Sequence, residues 1–167
     1  MTTVTEMNGP VEFEHVRGVV RARFGPDELA ELASANTNAS GRERFQLLNL
    51  VASWGYGVRT VVAQLDRSLD ERDPTVLAAH DLVGVLFTRD RVERTAALVP
   101  EELDDRVRDV LEVFDAEYHA ITVDDTSAEV TRVGDVRRFR AGWWWHRVPV
   151  RGPVRQELDE PGGAARR

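Results

Sequence analysis

The chain has 167 residues with 22 basic and 29 acidic side chains, and its formal net charge is −7. Its length suits one domain with one hydrophobic core, and a content of 42% hydrophobic and 31% charged residues is typical of a globular protein. The sequence contains neither cysteine nor lysine, which excludes disulfides, zinc–thiolate centres, thiol nucleophiles and Schiff-base chemistry.

The first two predicted helices are short. One begins near Pro10, and its apolar residues recur at a spacing of three or four. These residues are Phe13, Val16, Val20 and Phe24. The second begins at Pro26, where Asp27 and Glu28 complement the positive end of the helix dipole.

The third predicted helix is the central one. Ser40 and Glu43 have the spacing of a capping box, so we expect it to begin at residue 41 or 42 and to extend to about Leu69. Apolar residues surround most of its circumference, which is typical of a largely buried helix. Gly55 and Gly57 each cost about 1 kcal/mol relative to alanine in a helix interior, and close packing against a neighbouring helix is the favoured reason for them.

Two further helices are predicted before residue 122. Asp73 and Pro74 indicate the start of the fourth, whose charged second half, residues 89–94, is expected to face water. Its apolar stripe consists of Val76, His80, Val83 and Phe87. The fifth follows Pro100, begins with four acids and forms one seam against the other helices. The seam contains Leu103, Val107, Val110, Phe114, Tyr118 and Ile121.

From residue 121 the sequence pattern changes from helix to strand. Residues 121–123, 130–133, 136–140 and 143–148 are short, rich in branched and aromatic side chains and separated by turn residues. Gly134 and Asp135 suit a hairpin turn, whereas Pro149, Pro153 and Pro161 disfavour regular structure.

The predicted fold class is therefore mainly α. We expect a helical bundle of about five helices with a small C-terminal antiparallel β meander, an α+β arrangement. A single domain would cover residues 1–160, with the helical body at about 10–120 and the β region at about 121–150. Residues 161–167 would be a disordered tail.

A candidate binding surface lies between residues 137 and 155, where six arginines surround three consecutive tryptophans. On a strand, Trp143, Trp145 and Arg147 would share a face. Indole rings stack on planar groups and cations, and guanidinium groups bind carboxylates and phosphates, so the surface suits a protein partner or an anionic small molecule. Its predicted members are Arg137, Arg138, Arg140, Trp143, Trp145, Arg147 and Arg151.

The alternative is structural, with the tryptophans sealing the sheet against the helices and the arginines paired with the acidic body. Alanine at Trp145 and Arg147 separates the two interpretations. It should weaken binding in a folded protein if the surface binds a partner, and it should unfold the protein if the residues are structural.

A metal site is a second hypothesis. Asp115 and His119 lie four residues apart on the fifth predicted helix and could share a metal ion with His80. The protein would then be a metal-dependent helical-bundle enzyme. The paired Glu-x-x-His sequences of di-iron bundles are absent, and an ion pair is the competing interpretation.

The acidic body supports a third hypothesis, an inhibitor or immunity-type protein that covers a basic partner. Negative charge disfavours broad nucleic-acid binding, and no catalytic motif with the required spacing or cofactor motif occurs, so we predict a non-catalytic binding protein. Without a long apolar run or a signal-peptide pattern, we expect a cytoplasmic location and no membrane association. The wide apolar faces would allow a homodimer.

Overall fold

The computed structural model describes residues 11–38, 47–134 and 142–160. These residues form seven α-helices, one 3₁₀ helix and one two-stranded antiparallel sheet. The elements are α1 (Phe13–Arg21), α2 (Pro26–Asn38), α3 (Leu47–Gln64), α4 (Ala79–Ala96), α5 (Glu101–Ala120), β1 (Thr122–Asp124), α6 (Glu129–Val133), the 3₁₀ helix (Trp143–His146), β2 (Arg147–Pro149) and α7 (Pro153–Asp159). The predicted fold class, a mainly α protein with a small C-terminal antiparallel sheet, is confirmed.

Helix α3 is central, as predicted. It packs against α1, α4 and α5, and one hydrophobic cluster joins residues from α1 through α7. The predicted capping box of Ser40 and Glu43 lies outside the described residues. The helix ends at Gln64 rather than at Leu69, because the amides of the residues that follow bond to carbonyls only three positions earlier and tighten the chain into a turn.

The two glycines of α3 lie where neighbouring helices come closest. A Cβ atom at Gly55 would be 2.5 Å from the nearest ring atom of Phe114, and one at Gly57 would be 2.6 Å from a methyl group of Val85. The Phe114 ring is buried, and the guanidinium of Arg59 lies 5.2 Å from its centroid. The prediction of close helix packing is therefore confirmed.

The substitution Gly55→Ala should destabilise the protein by about 1–3 kcal/mol, because the added methyl group overpacks the contact with Phe114. Gly84 in α4 is the matched control, since a Cβ atom there meets nothing within 4 Å. Gly84→Ala should stabilise the protein by about 0.5–1 kcal/mol through helix propensity and a more restricted unfolded chain. Urea denaturation measures both values, and a shift of the same sign for both would contradict the close contact.

Helix α4 begins later than the pair Asp73 and Pro74 predicts. The Asp73 carboxylate instead accepts hydrogen bonds from the amide and hydroxyl of Thr75, which holds these residues in a local turn. Because the helix begins at Ala79, His80 lies on the exposed side and not on an apolar stripe. Its placement in that stripe was wrong.

Helix α7 occupies a segment predicted to be irregular. Pro153 is the first residue of this helix, a position that proline favours because the first amides of a helix have no partner within it. Gln156 accepts the amide of Leu69, and the buried Glu157 carboxylate accepts the first amide of α4. Helix α7 is therefore hydrogen-bonded to the start of α4 and to the loop that precedes α4.

The C-terminal sheet is smaller than predicted. Strands β1 and β2 pair with Val123 opposite Val148, but residues 130–133 belong to α6, and the strand prediction there was wrong. The Asp125 carboxylate accepts the amides of Glu129 and Val130, which caps the start of α6. The predicted strand 136–140, its hairpin turn at Asp135 and the tail 161–167 lie outside the described residues.

Helix α5 agrees with its prediction over Glu101–Ala120. Four residues of the predicted seam are buried, namely Leu103, Val107, Phe114 and Tyr118. Leu111 is the fifth buried residue, whereas the predicted Val110 is only half-buried and Ile121 follows the last residue of the helix. Across the described part of the chain, the helices are all too short or too polar to cross a bilayer.

Candidate functional site

The three consecutive tryptophans form the 3₁₀ helix Trp143–His146, which we call the tryptophan turn. Trp144 and Trp145 are buried, and both indole N–H groups donate to the same Asp90 oxygen, at 3.0 and 2.9 Å. Any side chain at Gly142 would collide with the Trp144 ring. Close packing and two hydrogen bonds to α4 therefore fix the turn in place.

A buried ion pair between Arg89 and Asp115 packs against the tryptophan turn. Arg89 is 5% exposed and donates two hydrogen bonds to Asp115, at 3.0 and 2.9 Å, and one to Glu93. Its guanidinium lies 4.3 Å from the centroid of the Trp144 ring, and Asp115 also accepts the indole N–H of Trp54. The expectation that residues 89–94 face water is wrong for Arg89, because Asp115 on α5 compensates for its burial.

Arg89 stays charged in this environment. Burial by itself would lower the pKa of its guanidinium, but the hydrogen bonds and negative charges of Asp115 and Glu93 outweigh that effect and raise the pKa. Arg89 therefore contacts Asp115 and Glu93 as a cation.

The structure does not bring the predicted metal ligands together. Asp115 is bonded to Arg89, His119 lies beside Trp143 with ring centroids 5.9 Å apart, and the exposed His80 contacts Asp81. Within residues 11–38, 47–134 and 142–160, no three histidine, aspartate or glutamate side chains are placed to hold a metal ion.

The predicted binding surface is divided between different environments. Trp145 is fully buried, Trp143 is 37% exposed, and the exposed Arg151 pairs with Asp66 at 2.9 Å. The prediction that Trp143, Trp145 and Arg147 share one face is wrong, because successive residues of a 3₁₀ helix do not alternate between two sides as they do in a strand. Three predicted members, Arg137, Arg138 and Arg140, lie outside the described residues.

Arg147 joins the two strands of the sheet. Its Nε donates to the hydroxyl of Thr122 at 2.8 Å, and its two terminal nitrogens donate to the Thr122 carbonyl at 2.6 Å and to Asp124 at 2.9 Å. With these internal bonds, the guanidinium holds β2 against β1.

An open cleft of about 250 Å³ lies beside the tryptophan turn, and we call it the Trp143 cleft. It is lined by His119, Asp124, Trp143, His146 and Arg147. The Trp143 ring forms an aromatic wall of the cleft, and the buried rings of Tyr118 and Trp144 pack against it with centroids 6.1 and 6.0 Å away. Burial raises the pKa of the Tyr118 hydroxyl far above its usual value, so the ring that packs behind Trp143 is uncharged.

A second cleft of about 260 Å³ lies on the other side of Asp124, and we call it the acidic cleft. Four of its lining residues are carboxylates, namely Asp124, Asp125, Glu129 and Asp159. Arg155, the one basic residue among the described residues that line this cleft, donates to Asp159 at 2.9 Å. Asp124 borders both clefts.

Sequence reasoning missed His146 and Asp124 as members of the site. The adjacency of His146 to the tryptophans was a usable signal for the first. Asp124 becomes part of the site only through the register of the sheet, which pairs it with Arg147, and no local pattern specifies that register.

Comparison of the chain with protein-family models, curated proteins and solved structures gives no match.

Proposed function

We propose that this protein is a non-catalytic binding protein that recognises a protein partner through the Trp143 cleft. The observation that carries the proposal is the contrast within the tryptophan turn. Trp144 and Trp145 are buried and bonded to Asp90, whereas Trp143 is 37% exposed at an open cleft. The turn uses two indoles to hold the third at the surface.

Such an arrangement suits recognition for two reasons. Tryptophan is enriched among the few interface residues that contribute most of the binding energy. A side chain whose position is already fixed by its neighbours also loses little conformational entropy on binding, so more of the contact energy appears as affinity. Trp143 packs against Tyr118, Trp144 and His119 before any partner arrives.

Binding of an anionic small molecule, the alternative to a protein partner, would depend on a different set of residues. It requires the guanidinium groups of Arg137, Arg138 and Arg140, since Arg147 is bonded internally. Recognition of a protein partner requires only the Trp143 cleft and its aromatic wall, and we prefer this hypothesis for that reason.

The test is recovery of a partner with three forms of the tagged protein: wild type, Trp143→Ala and Leu98→Ala. Leu98 is the matched control because it is more exposed than Trp143 and does not line the cleft. We expect wild type and Leu98→Ala to retain the same protein. With that partner purified, Trp143→Ala should raise Kd by about tenfold or more, the effect of losing a central aromatic contact.

Circular dichroism and thermal melting must show that Trp143→Ala is folded at the temperature of the binding assay. A partner that binds all three forms with equal Kd would contradict the proposed role of the cleft. Equal losses with Trp143→Ala and Leu98→Ala would contradict it as well, because the contact would then be nonspecific.

A further inference from the structure

Among the described residues that line the Trp143 cleft, the accessible charge is negative. In the described part of the chain, the cleft is lined by one carboxylate and one guanidinium beside its two histidines. Their side chains differ in exposure: that of Asp124 is 82% exposed and that of Arg147 is 13% exposed. The guanidinium of Arg147 is also bonded to Thr122 and to Asp124 itself. A group entering the cleft therefore meets the Asp124 carboxylate far more readily than the guanidinium.

Elsewhere this protein twice pairs a guanidinium with an aromatic ring and a carboxylate. Arg89 lies 4.3 Å from the Trp144 ring centroid, and Arg59 lies 5.2 Å from that of Phe114. Each guanidinium also bonds to a carboxylate of α5. The negative face of an aromatic ring attracts a cation, and a carboxylate at its edge fixes the cation in place.

Trp143 and Asp124 present the same two components, a ring and a carboxylate, to an open cleft. The acidic cleft continues the negative surface beyond Asp124, where Asp125, Glu129 and Asp159 line it together with Arg155. The net charge of −7 favours the approach of a basic partner over the whole molecule. Charge complementarity therefore selects a cationic occupant for both clefts.

We propose that the segment of the partner that docks here is basic: one arginine side chain stacks on Trp143 and pairs with Asp124, and a neighbouring basic residue reaches the acidic cleft. This inference rests on the proposed binding function of the Trp143 cleft. Arginine fits better than lysine because its planar guanidinium can stack on an indole and bond to a carboxylate at the same time.

The experiment follows the four indole N–H resonances of ¹⁵N-labelled protein by NMR, with the Trp143 signal identified by its loss in Trp143→Phe. The probes are two capped peptides, one of four Gly-Arg repeats and one of four Gly-Glu repeats. We expect the arginine peptide to shift the Trp143 signal saturably and more than the other three indole signals. The glutamate peptide should leave it unchanged.

Two charge-neutralising variants sharpen the test. Asp124→Asn keeps an acceptor for Arg147 but removes the carboxylate from the cleft. It should lower the affinity for the arginine peptide by about three- to fivefold. Asp66→Asn removes one exposed carboxylate that lines neither cleft, and it should change the affinity by less than about 1.5-fold, since salt and water screen an exposed charge that the peptide does not contact. Equal losses in the two variants would overturn the inference, because attraction would then depend on net charge alone.

A shift of the Trp143 signal by the glutamate peptide, with none by the arginine peptide, would also overturn it. The inference fails separately from the proposed function. If the purified partner loses affinity for Trp143→Ala while binding Asp124→Asn as well as wild type, the cleft binds a partner but does not select a basic segment.

Discussion

Replacement of Asp115 by alanine should lower the free energy of unfolding by about 3–5 kcal/mol, the usual cost of removing one partner of a buried ion pair. Arg89, which is 5% exposed, would lose both hydrogen bonds to the carboxylate and keep only Glu93 and the Trp144 ring. The buried indole N–H of Trp54 would lose its acceptor at the same time. Urea denaturation followed by circular dichroism measures the loss.

Two further variants separate the ion pair from a general effect of the substitution. Asp109→Ala changes an exposed acid of the same helix and should shift stability by no more than about 0.5 kcal/mol. The double variant Arg89→Leu with Asp115→Leu should be more stable than Asp115→Ala, because it leaves no unpaired charge in the interior. If Asp115→Ala were as stable as Asp109→Ala, the Arg89 pair would contribute little to the fold.

The sequence was informative where structure depends on a local period. The apolar spacing predicted helices α1, α3 and α5, the central position of α3 and the reason for Gly55 and Gly57, because a helix repeats every 3.6 residues whatever surrounds it. The same reasoning wrongly predicted that Arg89 is exposed to water. Its partner Asp115 is 26 residues away on another helix, and no local pattern joins them.

The C-terminal region shows the opposite case. Residues 130–133 read Val-Thr-Arg-Val, a composition typical of strands, but the Asp125 carboxylate caps a helix there. Three consecutive tryptophans likewise favour a strand by composition. In the structure they form a 3₁₀ helix instead, and two of their indoles bond to Asp90, more than fifty residues earlier in the chain. The candidate site was therefore located by its composition, but which indole is exposed could not be predicted.

Trp145→Ala and Trp143→Ala should have opposite consequences, although the two residues lie in the same turn. Trp145 is fully buried, donates to Asp90 and packs edge-on against Phe87 at 5.3 Å, so its loss should cost about 3–5 kcal/mol of unfolding free energy. Trp143 is 37% exposed, and its loss should cost only about 1–2 kcal/mol. Chemical denaturation of both variants measures the difference, and a larger loss for Trp143→Ala would contradict the assigned burial.

This difference decides which variant can report on binding. On a shared strand face, alanine at Trp145 was expected to weaken binding in a folded protein, but in the tryptophan turn the same change removes core contacts. Any loss of partner binding in Trp145→Ala would then follow from unfolding. It should be regained at a lower temperature, and in part when the stabilising change Gly84→Ala is added. The loss in Trp143→Ala should persist under both conditions, because the missing contact lies in the complex and not in the fold.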